Sequence, residues 1–397
     1  MASSSFPELQ PSARVLLGPG PSNIHPRVMK AMLSPMVGHL DPDFIRVMDD
    51  IKKMLRIAFR TANEITFPVS GTGSAGMQTV MANLIETGDE VVIGTAGVFG
   101  ARMVEVATRL GARIHRVDAE WGRIVEPELM EKAIKAAKSP KLVAIVHAET
   151  STGIDQPIEE ISKMAHAHGA LMAIDAVTSL GCSPLEIDGW QIDACYSCTQ
   201  KGIGAPPGLS PVTFSARAME AVRKRKTPCT SWYFDLSLIE KYWGPDRVYH
   251  HTAPITMNYA LYEALRIVVE EGLEARFKRH RGNAAALQAG IEGMGLSLAA
   301  QAGFRLPQLT TVAVPSGIDE AKVRAQLLEK FNIEIGAGLG PLKGKVWRIG
   351  LMGESCKRQN VMLILSALET ILESMGFELA RGKSLAAADR AYDGSAA

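Results

Sequence analysis

Short apolar stretches alternate with longer amphipathic stretches along the first half of the chain. Several of the short stretches are apolar throughout and rich in β-branched residues, which is typical of strands covered on both faces of a parallel sheet. Seven strands are predicted, at Glu64–Val69, Glu90–Gly94, Arg113–Val117, Leu142–His147, Leu171–Ile174, Ala194–Ser197 and Pro211–Ser215. The amphipathic stretches predict helices at Gly76–Glu86, Ala101–Leu110, Glu126–Ala137 and Ile158–His168. This alternation predicts an α/β fold with right-handed crossover connections.

The pattern changes after about residue 255. One long helix is expected from Ile255 towards Gly282, and the segments after it alternate between helical and strand character: NAAALQAGIEGMG, TTVAVP, DEAKVRAQLLEKF, KVWRIGL and NVMLILSALETILESMG. These segments predict a smaller α+β domain at the C-terminus. We therefore expect a polar N-terminal arm (1–22), a large domain with a mostly parallel seven-stranded sheet (23–270) and a small domain (271–397).

Composition narrows the class of protein. Of the 397 residues 47% are apolar, and 43 Lys plus Arg against 42 Asp plus Glu leave a net charge of +1. Binding to nucleic acid or to an anionic membrane requires a strong basic excess, so neither partner is expected. The basic runs Arg223–Lys226 and Arg276–Arg281 are expected to be solvated helix faces.

The lack of targeting and membrane-spanning patterns, together with the cysteine count, predicts a cytoplasmic protein. No apolar run reaches the ~18 residues that a membrane span needs. The N-terminal MASSSFPELQPSARV lacks the charged start and apolar core of a secretory signal, and the C-terminus carries no targeting tripeptide. The five cysteines are sparse and odd in number, as expected for reduced thiols.

The stretch SGTGSAGMQT, residues 70–79, follows a predicted strand and opens a predicted helix. Small residues at a helix N-terminus let backbone N–H groups approach an anion, and Thr72 and Ser74 add hydroxyl groups. The stretch contains G-x-G-x-x-G at Gly71, Gly73 and Gly76, but the next strand ends VVIGTAG without the acidic residue that a dinucleotide site needs. A single-phosphate cradle is favoured; a plain tight turn and a dinucleotide site are the alternatives.

Two charged residues sit where predicted strands end. Asp175 closes LMAID, and Lys201 follows the apolar ACYSCTQ. Asp175 could be a simple cap, and Lys201 could extend along the surface to reach solvent. Alternatively, a phosphate cradle, a buried Asp and a buried Lys together meet the needs of pyridoxal phosphate (PLP): phosphate anchor, partner of the pyridine nitrogen and Schiff-base amine.

Two further side chains bear on this interpretation. Phe99, after the second strand, is placed to cover the cofactor ring, although an ordinary core position would also suit a Phe. Cys195 and Cys198 form a C-x-x-C in a predicted strand, where positions three apart point to opposite faces. No metal site is expected there.

At this point the sequence resembles a known family, the class V (fold-type I) PLP-dependent aminotransferases, and within it the alanine–glyoxylate and serine–glyoxylate aminotransferases. The resemblance extends from residue 16 to about 375. Its landmarks are collinear: LLGPGPSN, GHLDPDF, SGTGS, HAETSTG, DAVTS, TQKGIGAPPG, YHHTAP and VWRIGLMG.

The resemblance implies a role for each matching position. Lys201 would form the Schiff base and Asp175 would pair with the pyridinium nitrogen, so that these two are the catalytic residues. Arg348 would clamp the substrate carboxylate, helped by Gly20 and Ser151. The remaining cofactor contacts would be Thr72, Gly73, Ser74, Phe99, Ser151, Val177 and Gln200. Tyr249 and Thr252 would reach the phosphate from the neighbouring subunit of a homodimer.

The resemblance implies transfer of an amino group from alanine or serine to glyoxylate, giving glycine and a 2-oxo acid by a ping-pong mechanism. An alternative is the ureidoglycine–glyoxylate aminotransferase branch, which resembles the chain across SWYFDLSLIEKYW and EEGLEARFKRHR. That branch typically has Gln and Asn where this chain has His39 and Tyr249. A nicotinamide-dependent oxidoreductase rests on the glycine pattern alone. A desulfurase would need a mobile catalytic Cys, for which Cys356 is the candidate.

Overall fold

The computed structural model describes residues 6–394. Within them the strands are β1 (Val15–Leu16), β2 (Ile65–Ser70), β3 (Glu90–Thr95), β4 (Arg113–Asp118), β5 (Pro140–Val146), β6 (Ala148–Glu149), β7 (Ile154–Asp155), β8 (Leu171–Asp175), β9 (Ala194–Tyr196), β10 (Leu209–Phe214), β11 (Leu309–Ala313), β12 (Ile333–Glu334), β13 (Gly336–Ala337) and β14 (Val346–Gly350).

The helices in the same range surround these strands. They are α1 (Pro26–Ala31), α2 (Pro42–Phe59), α3 (Gly73–Leu84), α4 (Val98–Arg109), α5 (Pro127–Ala136), α6 (Glu159–Ala167), α7 (Ala216–Arg223), α8 (Leu236–Trp243), α9 (Ile255–Glu271), α10 (Leu273–Gly293), α11 (Glu320–Phe331), α12 (Arg358–Ser374) and α13 (Lys383–Gly394). Short 3₁₀ turns lie at Gly340–Leu342 and Gly353–Ser355.

A seven-stranded sheet in the order β2-β10-β9-β8-β5-β3-β4 forms the centre of the larger part of the molecule. β10 is antiparallel to both of its neighbours, and the other adjacent pairs are parallel. All seven strands predicted from the sequence are in this sheet, with ends that differ by one or two residues. The prediction of an α/β fold with a mostly parallel sheet is confirmed.

Successive residues of the central strands enter two different apolar clusters. In β8, Met172 and Ile174 pack into one cluster and Leu171 and Ala173 into the other. Each face of the sheet is therefore covered, which explains why these strands are apolar throughout rather than alternating. Burial of each large aliphatic side chain contributes about 1.5–3 kcal/mol.

A third apolar cluster lies in the C-terminal part of the chain. It contains buried residues from Ala286 to Ala388 together with Leu17, and it packs around the antiparallel sheet β11-β14-β13. β1 pairs in parallel with β12, Val15 opposite Ile333. The end of the predicted N-terminal arm is thus attached to the C-terminal part of the molecule.

Three local predictions need correction. The helix expected from Ile255 towards Gly282 is interrupted at Gly272, whose φ of +78° is left-handed, and α10 continues instead to Gly293. The run Arg276–Arg281 is not a solvated face, because Arg276 and His280 are buried. Lys201 does not end a strand: it lies in a turn after β9, which ends at Tyr196.

Candidate active site

The glycine-rich stretch joins β2 to α3 at the carboxyl end of the sheet. α3 begins at Gly73, and the Thr72 side chain makes no capping bond to the helix. A Cβ atom on Gly73 would lie 3.1 Å from Val177 and 3.2 Å from Cys198, and one on Gly76 would lie 2.1 Å from Ser210 Oγ. The glycines therefore allow the helix N-terminus to approach neighbouring strands closely, with its N–H groups and the Thr72 hydroxyl available to an anion.

Asp175 is the last residue of β8 and is buried. Its Oδ1 accepts a hydrogen bond from the Val177 backbone N–H at 2.7 Å. Burial raises the pKa of Asp175 to about 6, although the bond from Val177 opposes the rise. A buried carboxylate with one oxygen held in place is suited to a cationic partner in the same pocket.

Lys201 is held by its backbone. Its carbonyl accepts hydrogen bonds from Ser22 Oγ at 2.9 Å and from Gly204 N–H at 3.0 Å. The side chain is buried. Its Nζ lies 3.3 Å from Thr178 Oγ1 and 5.6 Å from the centre of the Phe99 ring. Burial lowers the pKa of Lys201, which favours the neutral amine needed for nucleophilic chemistry.

The cradle, Asp175 and Lys201 open onto one cavity of about 190 Å³. Eight of the predicted site residues line it: Thr72, Gly73, Ser74, Phe99, Asp175, Val177, Gln200 and Lys201. One polar atom at the cavity, Gln200 Oε1, is buried without a hydrogen-bond partner in the described residues. Buried polar atoms are normally paired, so the cavity offers an unused hydrogen-bonding group to a ligand. The phosphate-binding turn, the carboxylate, the amine and the Phe99 ring fit PLP.

Arg348 lies on β14, close enough to Lys201 for its charge to act on the amine. It is buried; its Nε donates to the Ala337 carbonyl at 2.7 Å and its Nη1 to the Thr150 carbonyl at 3.1 Å. Its charge lowers the pKa of Lys201, after the larger effect of burial. Burial lowers the pKa of Arg348 itself to about 10. Two backbone carbonyls orient the guanidinium without neutralising it, so it can still bind an anionic carboxylate.

Gly20 and Ser151 lie at the edge of the site rather than on the cavity wall. A Cβ atom on Gly20 would lie 3.1 Å from Lys201 Cε. The Ser151 hydroxyl donates to Glu149 Oε1 at 2.6 Å and accepts from the Val98 N–H at 2.9 Å. The structure therefore places both beside predicted site residues, with the Ser151 hydroxyl bonded within the protein.

Tyr249 and Thr252, like Gly20, Ser151 and Arg348, are not among the residues that line the cavity. Both are exposed, and the Tyr249 ring lies 5.1 Å from the ring of His39. Neighbouring His251 accepts from or donates to Ser70 Oγ at 2.8 Å, close to the start of the cradle. These two residues are on the outer surface of the chain beside the cavity.

Four residues at the site were not singled out from the sequence. Tyr196, Met77 and Arg102 line the cavity, and the Arg102 guanidinium lies 5.1 Å from the Phe99 ring centre. Glu149 is completely buried next to Ser151. The sequence contains a signal for Glu149, because an acidic residue directly follows the largely apolar stretch LVAIVHA. It contains no such signal for Arg102, a charged residue in an amphipathic helix, or for the apolar Met77.

The remaining predictions about metals and Cys356 can be compared with the structure. In the range 6–394 there is no group of three or more His, Cys, Asp or Glu side chains arranged to hold a metal ion. Cys356 is buried outside the cavity, and burial raises the pKa of its thiol to about 12. No described helix is long and apolar enough to cross a membrane.

This fold and this cavity define a fold-type I enzyme that uses PLP as its cofactor. A family profile described as "Aminotransferase class-V" matches residues 15–350. The chain therefore belongs to the class-V aminotransferases and is a PLP-dependent transaminase. The resemblance inferred from its motifs is confirmed, and the nicotinamide interpretation of the glycine pattern is excluded.

Individual relatives cover almost the whole chain. The crystal structure of an alanine–glyoxylate aminotransferase from Nostoc sp. is 47% identical with a TM-score of 0.91, covering 93% of this chain and 97% of its own. The ureidoglycine–glyoxylate aminotransferase of Bacillus subtilis is 43% identical with a TM-score of 0.95, covering 98% and 100%. An alanine–glyoxylate aminotransferase of Drosophila melanogaster is 40% identical over 91% of this chain and 93% of its own. Glyoxylate is named in all three.

Proposed function

We propose that this transaminase moves the amino group of alanine or serine to glyoxylate, giving glycine and a 2-oxo acid. The observation that carries the proposal is the buried Arg348 guanidinium. Its charge acts on Lys201, while its hydrogen bonds to residues 6–394 go only to neutral carbonyls. All three substrates carry a carboxylate next to the reacting carbon, and a planar guanidinium binds a carboxylate with two parallel hydrogen bonds.

Lys201 is the acid–base group of both half-reactions. When bound, PLP supplies an electron-withdrawing pyridinium ring that carries the amino group from donor to acceptor. Lys201 Nζ removes the proton from Cα of the amino acid, and in the return half it delivers a proton to the carbon that was the carbonyl carbon of glyoxylate. Burial lowers its pKa, which makes the free amine more accessible.

The other residues hold the reacting groups in place. Asp175 maintains a negative charge where the pyridine nitrogen would lie, and Thr72, Gly73, Ser74 and Gln200 would hold the phosphate. Phe99 would cover one face of the ring. Arg348 orients the substrate so that its Cα proton faces Lys201. Because donor and acceptor use the same Arg348 in turn, the kinetics are expected to be ping-pong.

A ureidoglycine donor is the alternative, supported by the likeness to the Bacillus subtilis enzyme. The two positions that favour alanine or serine, His39 and Tyr249, are in contact, with ring centres 5.1 Å apart. They form one surface locus beside the cavity rather than two independent differences. A change of donor preference through this locus would therefore involve both residues.

An amino-donor panel against glyoxylate, with glycine formation as the measurement, tests the proposal. Alanine or serine is expected to give the highest kcat/KM. A clear preference for ureidoglycine would replace the proposed donor but keep the acceptor. Failure of glyoxylate to accept from any donor would overturn the proposal, while pyruvate or another 2-oxo acid as acceptor would show what replaces it.

We also propose that the enzyme is a cytoplasmic homodimer whose sites lie at the subunit interface. Tyr249 and Thr252 are exposed, as contact with a neighbouring subunit would require, and His251 between them contacts Ser70 in the cradle. Two exposed apolar side chains are close to them: Val248 precedes Tyr249 in the chain, and the Trp232 ring stacks on His250. All five cysteines are free thiols, which supports a reducing compartment.

A further inference from the structure

The completely buried carboxylate of Glu149 has no part in the proposed reaction. Glu149 ends β6, directly beside the site. Its Oε2 accepts hydrogen bonds from the backbone N–H groups of Phe99, at 3.1 Å, and Gly100, at 3.3 Å. Its Oε1 accepts from the N–H and the hydroxyl of Ser151, at 3.1 Å and 2.6 Å. All four partners are donors.

These contacts favour the ionised form of the Glu149 carboxyl group. Val98 N–H donates to Ser151 Oγ at 2.9 Å, so the Ser151 hydroxyl hydrogen is free to point to Glu149. A carboxylate can accept all four bonds, whereas a protonated carboxyl would place a hydrogen against one of the donors. Burial raises the pKa of Glu149, and the bonds from Ser151, Gly100 and Phe99 oppose that rise. The carboxylate also lies at the N-terminus of α4, where negative charge is favourable.

The backbone is shaped around this carboxylate. A Cβ atom on Gly97 would lie 2.7 Å from Glu149 Cδ and 2.2 Å from Ser151 Oγ, so only glycine fits there. Thr152 Oγ1 donates to the Ala96 carbonyl at 3.2 Å. The turn at 149–152 is thus bound to residues 96–100, the segment that carries Phe99.

The same turn contacts the substrate side of the site. Arg348 Nη1 donates to the carbonyl of Thr150, the residue next to Glu149, at 3.1 Å. The Glu149 charge also raises the pKa of Arg348, against the larger lowering effect of burial. One short turn therefore links the Phe99 ring on the cofactor side to the Arg348 guanidinium on the substrate side.

We propose that Glu149 is a positioning residue that sets Phe99 and Arg348 relative to each other by holding the 149–152 turn against the start of α4. The proposal rests on the roles proposed above for Phe99 and Arg348. Without the carboxylate, the turn loses its two hydrogen bonds to the α4 N-terminus, from Phe99 and Gly100, and its two internal bonds from Ser151. Ring contact and carboxylate binding should then weaken together.

Glu149→Gln is the sharpest variant, because it keeps the shape and turns one acceptor oxygen into a donor that must face N–H or O–H groups. Glu149→Asp retains the charge with one methylene less. Glu369→Gln is a matched control: Glu369 is also buried and accepts hydrogen bonds from Gly382 N–H and from the N–H and hydroxyl of Ser384 at the start of α13. It belongs to the C-terminal part of the molecule, away from the cavity.

Three measurements on the holoenzyme separate positioning from stability: PLP release on dilution, KM for alanine and for glyoxylate, and the melting temperature. Glu149→Gln is expected to weaken PLP binding and raise both KM values by about tenfold or more, since hydrogen bonds to charged groups are the strong ones. Glu149→Asp should recover part of both losses. Glu369→Gln should lower the melting temperature and leave the other two unchanged.

Specific outcomes overturn the proposal. If Glu149→Gln lowers only the melting temperature, as Glu369→Gln does, the role of Glu149 is structural. If it lowers both KM values, Glu149 acts as a charge that repels the substrate carboxylate. Phe99→Ala and Arg348→Ala separate this failure from failure of the proposed function. If neither variant changes PLP release or KM, the roles of Phe99 and Arg348 are wrong. If both variants change them and Glu149→Gln does not, only the positioning proposal fails.

Discussion

A buried arginine that forms no ion pair with a carboxylate within residues 6–394 is the residue-scale feature that distinguishes this site. Among the described residues Arg348 has hydrogen bonds only to the Ala337 and Thr150 carbonyls. Burying a charge with incomplete compensation costs free energy, and burial accordingly lowers the pKa of Arg348 to about 10. A substrate carboxylate relieves that cost, which links the binding of each substrate to the same guanidinium.

Replacement of Arg348 tests this link. Arg348→Ala should raise KM for both alanine and glyoxylate, by about 2–5 kcal/mol in binding free energy, because it breaks a buried charge pair with the substrate. Arg348→Lys should recover only part of the loss, since an ammonium group lacks the planar pair of donors. Arg358→Ala, on the exposed part of α12, is the control and should leave KM unchanged. Unchanged KM in Arg348→Ala would remove this residue from the site.

At the scale of elements, the buried polar residues of α10 could not be predicted from the sequence. Strands such as β8 could be predicted because their apolar runs reflect burial on both faces, and Asp175 because it closes one. In the first half of α10 the buried face includes Arg276 and His280, polar residue types that in a sequence normally indicate exposure. Their partners come from distant turns, so only the folded chain reveals why they are inside.

Arg276 ties α10 to the active-site turn. Its guanidinium donates to the carbonyls of Gly202, at 2.5 Å, and Gly181, at 2.8 Å, and it pairs with Glu271 at 2.5 Å. Gly202 follows Lys201 directly. Arg276→Met should destabilise the fold by about 1–3 kcal/mol for each carbonyl that loses its donor, and should speed PLP release. Urea unfolding and PLP release measure the two effects. Lys278→Ala, on the exposed side of the same helix, should change neither.

His280 makes the same helix sensitive to acid. Its Nδ1–H donates to the Arg276 carbonyl at 2.8 Å, and its Nε2 accepts from the Gly353 N–H at 3.2 Å, which requires the neutral ring. Burial, with smaller effects of Arg276 and Arg279, lowers the pKa of His280 from 6.5 to about 3. Between these values the unfolded chain binds a proton that the folded chain does not, so this group's contribution to stability is lost as pH falls below 6.5.

Because of His280, the unfolding free energy is expected to fall by about 1.4 kcal/mol for each pH unit between pH 6 and pH 4. His280→Asn should remove that part of the slope, whatever its effect on absolute stability. Urea unfolding at a series of pH values measures it. His168→Asn, at an exposed histidine, should retain the wild-type slope. An unchanged slope in His280→Asn would show that other groups cause the acid sensitivity.

At the scale of the whole molecule, the chain alone encloses only part of the predicted site. The cavity residues lie within 72–201, whereas Tyr249 and Thr252 do not line it and are exposed. Aromatic rings cluster behind them, with Trp232 stacked on His250 at 4.5 Å. Trp232 is itself 63% exposed and its neighbour Tyr233 is 37% exposed, so two aromatic rings are open to contact with another chain.

A mixing experiment tests whether Tyr249 and Thr252 act on the neighbouring subunit. Lys201→Ala and the double variant Tyr249→Ala/Thr252→Ala should each be nearly inactive alone. In a hybrid dimer, residues that act across the interface put all the lesions in one site and leave the other site intact. Activity should therefore return on co-refolding or co-expression, up to one wild-type site per hybrid.

The opposite result is equally clear. If Tyr249 and Thr252 serve the cavity of their own chain, every site in a hybrid carries a lesion and mixing restores nothing. Trp232→Glu is a second test. A charge at this exposed aromatic position should dissociate the dimer and weaken PLP binding together. Leu129→Glu, at an exposed leucine of α5, is its control. A dimer that persists in Trp232→Glu while the hybrid stays inactive would place the subunit contact on another face of the molecule.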